Sequence, residues 1–139
     1  MDPHSFITSS MHPFSPELKK RLLAESSDSF TQHFEISGSE LPCPPEDWEY
    51  QLSTAIALKL KGYCDPHDDT YLGPGEEQEH RSLFWLLADT SRRPSYLIAN
   101  GTYIRMEPGS WAFFDDSQLH AFLADGTWIG LAVQLTRKG

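Results

Sequence analysis

Residues 96–135 read YLIANGTYIRMEPGSWAFFDDSQLHAFLADGTWIGLAVQL. Short runs rich in aromatic and β-branched residues are cut at close intervals by turn pairs, Asn100-Gly101, Pro108-Gly109 and Asp125-Gly126. Asn-Gly and Asp-Gly favour tight hairpins because the primed turns need positive φ at their central positions. The stretch therefore predicts strands over 96–99, 103–106, 111–114, 120–123 and 128–135, with hairpins at Asn100-Gly101 and Asp125-Gly126. Many short strands separated by turns, with no alternating helices, imply a sandwich or jelly roll rather than an α/β fold.

Working outward, residues 51–61 place Leu52, Thr54, Ile56, Leu58 and Leu60 at every second position, the period of a half-buried strand. Residues 81–88 (RSLFWLLA) form a more uniformly apolar strand. The first 50 residues differ. Residues 1–14 are polar, with His4 and His12, and read as an arm. Ser15-Pro16-Glu17 reads as a helix start: a cap, a proline at the first helical position and an acid in the first turn. Leu18, Leu22 and Leu23 give that helix an apolar stripe, and residues 26–29 should end it. Residues 41–47 carry Pro42, Pro44 and Pro45 and read as an extended connector. The expected layout is an arm, helix and proline-rich connector over 1–50, and a mostly β, cupin-like jelly-roll domain over 51–139.

Composition narrows the function classes. Twenty acids against eleven lysines and arginines give a net charge of -9. Such a chain has no electrostatic footprint for a phosphate backbone, so no nucleic-acid partner is expected. It is repelled from anionic membrane surfaces too. No run of 18 apolar residues occurs, and the first ten residues lack the pattern of a signal peptide. Cys43 and Cys64 do not make a disulfide framework, so free thiols in a cytoplasmic compartment are expected.

The chemistry-bearing residues follow the 51–61 strand, in Asp65-Pro66-His67-Asp68-Asp69. His67 and Asp69 are two apart, so on extended chain both point to one face. His120 stands on another expected strand. Two histidines and one carboxylate on one face of an octahedral metal leave three positions open, the arrangement of the facial triad of non-haem Fe(II) enzymes. A His-x-acid pair needs context, since His33-Phe34-Glu35 is a second one. That second pair precedes the β region and reads as structural. His80 follows Glu76, Glu77 and Glu79 and reads as a solvated loop residue, or as an alternative ligand in a cupin-like site.

The run from Met106 to His120, with its Pro108-Gly109 turn, aromatic strand and terminal histidine, resembles the Fe(II)- and 2-oxoglutarate-dependent dioxygenases, closest to the prolyl-hydroxylase-like members. The resemblance covers about residues 50 to 136. It implies a double-stranded β-helix, Fe(II) held by His67, Asp69 and His120, 2-oxoglutarate as co-substrate, and hydroxylation of a small-molecule or protein substrate. In that branch a basic residue early on the last strand pairs with the far carboxylate of 2-oxoglutarate, and here Trp128 stands at that place. The candidates for that role are Arg81, on the strand after His67-x-Asp69 as in the JmjC-type hydroxylases, and Arg105. Tyr63 is a candidate hydrogen-bond donor to a co-substrate carboxylate. Two alternatives stand beside this expectation. One is a metal-binding cupin-type enzyme without 2-oxoglutarate, and the other is a non-enzymatic jelly-roll binding module. An exposed edge strand would allow a homodimer.

Overall fold

The computed structural model describes residues 10–25, 33–61, 79–99, 101–116 and 119–138. The helix begins where the sequence signals it. The Leu18 N–H donates to the Ser15 hydroxyl at 3.1 Å, and Pro16 opens α1 (Pro16–Glu25) at a position whose N–H would have no partner. Leu18 and Leu22, one turn apart, are buried. Leu23, expected in the same stripe, lies a further ~100° around the helix and is 45 % exposed.

The rest is β-structure: β1 (Ser10–Met11), β2 (Trp48–Lys61), β3 (His80–Asp89), β4 (Ser95–Ala99), β5 (Thr102–Met106), β6 (Ser110–Phe114), β7 (His120–Leu123) and β8 (Thr127–Arg137). These pair antiparallel into two sheets, of order β1-β6-β3-β8-β2 and β5-β4-β7. The β4–β5 pair is the hairpin expected at Asn100-Gly101, and Gly101 takes φ 74°, the left-handed conformation such a turn needs. From there the chain folds over as a doubled ribbon. β3 pairs with β6 in the larger sheet while β4 pairs with β5 in the smaller, and the return strands β7 and β8 then lie beside β4 and β3.

Two expectations need correction. Asp125-Gly126 is not a hairpin turn, because β7 and β8 belong to different sheets. Gly126 serves close approach instead. A Cβ there would come within 2.6 Å of the Ser91 backbone nitrogen, and its N–H donates to the Ser91 hydroxyl at 2.9 Å. The described end of the predicted arm is part of the body. Ser10 and Met11 pair with β6, the Trp85 indole N–H donates to the His12 carbonyl at 2.8 Å, and Phe14 stacks on Trp85 with centroids 3.6 Å apart.

β3 buries both faces. Leu83, Trp85 and Leu87 pack with Leu18, Leu22, Phe34, Leu41 and Trp48, so α1 and the 33–48 segment cover the outer face of the larger sheet. Phe84 and Leu86 pack with Leu97, Ile104, Met106, Phe122 and Trp128, the core between the sheets. Among the described residues no helix is long and apolar enough to cross a membrane.

Candidate functional site

Strand register sorts the inward positions of the larger sheet into rows, and the rows change character along the sandwich. At one end Leu60 and Trp128 are partners, followed by Leu58 with Gly130 and Leu86, then Ile56 with Ala132, Phe84 and Ala112. The next row is Gln51, Gln134, Ser82 and Phe114, and beyond it Thr136 is paired with His80. The space between the sheets is thus apolar for three rows and polar at the end where β3 begins and β6 finishes.

Hydrogen bonds organise that polar end. The Asp116 carboxylate, fully buried just past β6, lies 2.6 Å from His80 Nδ1 through one oxygen and accepts from the Ser82 hydroxyl at 2.5 Å through the other. When Asp116 is ionised its carboxylate only accepts, and Nδ1 of His80 then carries the hydrogen. The Gln51 amide donates to the Thr136 hydroxyl at 2.6 Å. The Gln134 amide nitrogen is buried with no hydrogen-bond partner among the described residues, an unmet donor at the floor of this region.

His120 belongs to the same end. It opens β7 opposite Ala99, is 6 % exposed, and its ring centroid lies 5.1 Å from that of Phe114, the register partner of Ser82. Alternation along β7 puts His120 on the inward face with Phe122. His67, Asp69 and Tyr63 lie outside the described residues. The chain re-enters the described structure at Glu79, beside His80 and ten residues after Asp69. Two imidazoles and a carboxylate suit Fe(II), and a buried inward imidazole beside a polar wall is a fitting member of such a set. Among the described residues no three histidine, cysteine or acidic side chains are grouped to hold a metal, so a centre here would draw on residues outside the described ones, as His67 and Asp69 are.

The arginines fall elsewhere. Arg81 is buried and shares a face with Leu83 and Trp85 as expected, but that face lies under α1 and Trp48, not between the sheets. Its guanidinium stacks over Trp48 at 4.9 Å, donates to the His80 carbonyl at 2.7 Å and lies 3.7 Å from Asp115. Arg105 projects from β5 to the outside, 59 % exposed, 3.5 Å from Glu107. Trp128 fills the depth below His120. It stacks on Phe122, the next inward residue of β7, at 5.1 Å, and on Phe84 at 5.4 Å. Among the described residues no lysine or arginine of the strands shares the inward face, so these residues do not fit the distal carboxylate of 2-oxoglutarate.

His33 and Glu35 are exposed on either side of buried Phe34, as the structural reading of that pair requires. His80 departs from expectation. The acids before it suggest a solvated loop, yet it is the first residue of β3 and buried. The sequence gives little sign of Ser82, Gln134 and Asp116. The available signal is a single polar residue inside an apolar strand at an inward position, as Ser82 is in RSLFWLLA. No family model matches the chain, and no curated protein matches it.

Proposed function

We propose that this protein is a non-haem Fe(II) oxygenase built on a double-stranded β-helix, with His67, Asp69 and His120 holding the metal at the polar end between its sheets. The observation that carries the reading is the placement of His120: buried, inward-facing, and beside the His80–Asp116–Ser82 network. The strand order supports the double-stranded β-helix, since from β3 to β8 the chain crosses between the sheets at every connection except the β4–β5 hairpin, as a ribbon folded on itself does. Iron held this way would supply dioxygen activation at the positions the protein leaves open. The chain's own contribution is to hold and orient the imidazole of His120, to offer hydrogen-bonding groups on one wall, and to exclude water with the aromatic floor of Phe84, Trp128 and Phe122.

The resemblance implies 2-oxoglutarate as co-substrate. One specific observation favours the cupin-type reading, in which the organic substrate itself meets the metal without 2-oxoglutarate. Arg81 and Arg105 face away from the space between the sheets, and Trp128 occupies the depth where a distal carboxylate would reach. A substrate read by this wall would be small, and would use the neutral donors and acceptors of Gln134, Thr136 and Ser82 rather than a cation.

The test is an anaerobic titration of the Fe(II)-loaded protein with 2-oxoglutarate, followed by visible absorption. Chelation of the keto acid by iron gives a charge-transfer band. We expect iron to bind and no saturable band to form. A saturating band would restore the 2-oxoglutarate-dependent reading, and failure to bind iron would leave a non-enzymatic binding module.

A further inference from the structure

The opposite end of the sandwich holds a concavity that the metal reading does not use. Residues 90–94 join β3 to β4, and hydrogen bonds fasten this connection to the turn between β7 and β8. The Thr90 N–H donates to the Thr127 carbonyl at 3.0 Å, and the Thr127 N–H to the Thr90 hydroxyl at 2.8 Å. The Gly126 N–H donates to the Ser91 hydroxyl at 2.9 Å, and the Arg92 N–H to the Asp125 carboxylate at 2.8 Å. A connection already held this way loses little further freedom when a ligand binds. It presents Arg92 and Arg93 side by side at a cavity of about 260 Å³, with Ser95, Arg105 and Glu107 on the other walls.

The charges of this cavity do not cancel locally. Its two acids are both engaged. Asp89 accepts from the Ser91 N–H at 2.8 Å and the Ser95 hydroxyl at 2.6 Å. Burial pushes its carboxyl up, but these hydrogen bonds and the Trp128 indole outweigh burial and hold it below its ordinary value. Glu107 lies 3.5 Å from Arg105. The guanidinium groups of Arg92 and Arg93 have no ion-pair partner among the described residues. In a chain with 20 acids and a net charge of -9, two adjacent arginines whose guanidinium groups form no ion pair among the described residues run against the overall charge.

We propose that this concavity binds a small oxyanion, a carboxylate or a phosphate group, through Arg92 and Arg93. A guanidinium fork matches two oxygens of either group. The cavity is just below the usual range of ligand sites, which run from about 300 Å³, so the ligand is a small metabolite rather than a nucleotide. The chain's net charge of -9 disfavours polyanions, which sets nucleic acid and anionic membranes aside. The site is independent of the iron centre proposed for the other end.

Calorimetric titration of the full chain with inorganic phosphate and, separately, with acetate tests this, with ionic strength held constant by sodium chloride. Saturable binding of one probe is expected, weakened at least ~10-fold in the Arg92→Gln/Arg93→Gln double variant, the size expected for losing hydrogen bonds to a charged group. Both side chains are exposed, so the variant keeps its fold, and its circular dichroism should match the parent. Binding of phosphate alone assigns a phosphorylated ligand, and binding of acetate alone a carboxylate. The proposal is overturned if neither probe saturates, or if the double variant binds as tightly as the parent.

Discussion

A buried carboxylate stabilises a fold only while its oxygens are occupied, and both oxygens of Asp116 are, by His80 and Ser82. Asp116→Ala therefore strands two donors in the interior and should cost about 2–5 kcal/mol in urea unfolding; a cost under ~0.5 kcal/mol, the level of an ordinary surface change, would show the network to be incidental. Asp89 makes a pH prediction. Its carboxyl is held below its unfolded value, so its stabilisation is full above the usual carboxylate range and is lost as pH falls through the folded value. Asp89→Asn should flatten the acid side of the stability profile, and a profile unchanged in shape would contradict that. At this scale the sequence spoke unevenly. His67, Asp69 and His120 stood out by residue type and spacing. Ser82 did not, because a polar residue on a strand buried on both faces shows no alternation to mark its side, and neither did Gln134 on β8 or Asp116, which lies just past the end of β6.

Strands were the most legible elements. Residues 120–123 form β7 as expected, and the other predicted strands extend their cores by a few residues at most, while β1 falls where an arm was expected. Turn chemistry was legible only where it acts through φ. Gly101 adopts the positive φ that Asn-Gly advertises, whereas Gly126 is small so that the Ser91 backbone can approach. Nothing in the pair Asp125-Gly126 distinguishes these uses, and only the assignment of β7 and β8 to different sheets does. Gly130 is the second close approach. A Cβ there would meet the Trp85 carbonyl at 2.7 Å and the Phe84 ring at 3.0 Å. Backbone cannot give way in the centre of β8, so Gly130→Ala should destabilise by about 1–3 kcal/mol through overpacking and displace Phe84 from Trp128. Thermal unfolding checks this, with no loss of stability as the contrary result.

Across the whole molecule, the sandwich has two unlike ends. One gathers His80, Ser82, Gln134, Thr136, Asp116 and His120 between the sheets; the other fastens Arg92 and Arg93 on its surface. An apolar core three rows deep separates them. The central claim concerns the first end. Its most direct test is anaerobic equilibrium dialysis against Fe(II) of the parent chain and of His120→Ala, His67→Ala and Asp69→Ala. The account predicts about one iron per parent chain, as the facial triad binds. Each variant should weaken binding by more than the ~10–100-fold that losing a ligand's outer partner costs, with circular dichroism unchanged. Iron retained equally by the three variants, or not bound by the parent at all, would contradict it.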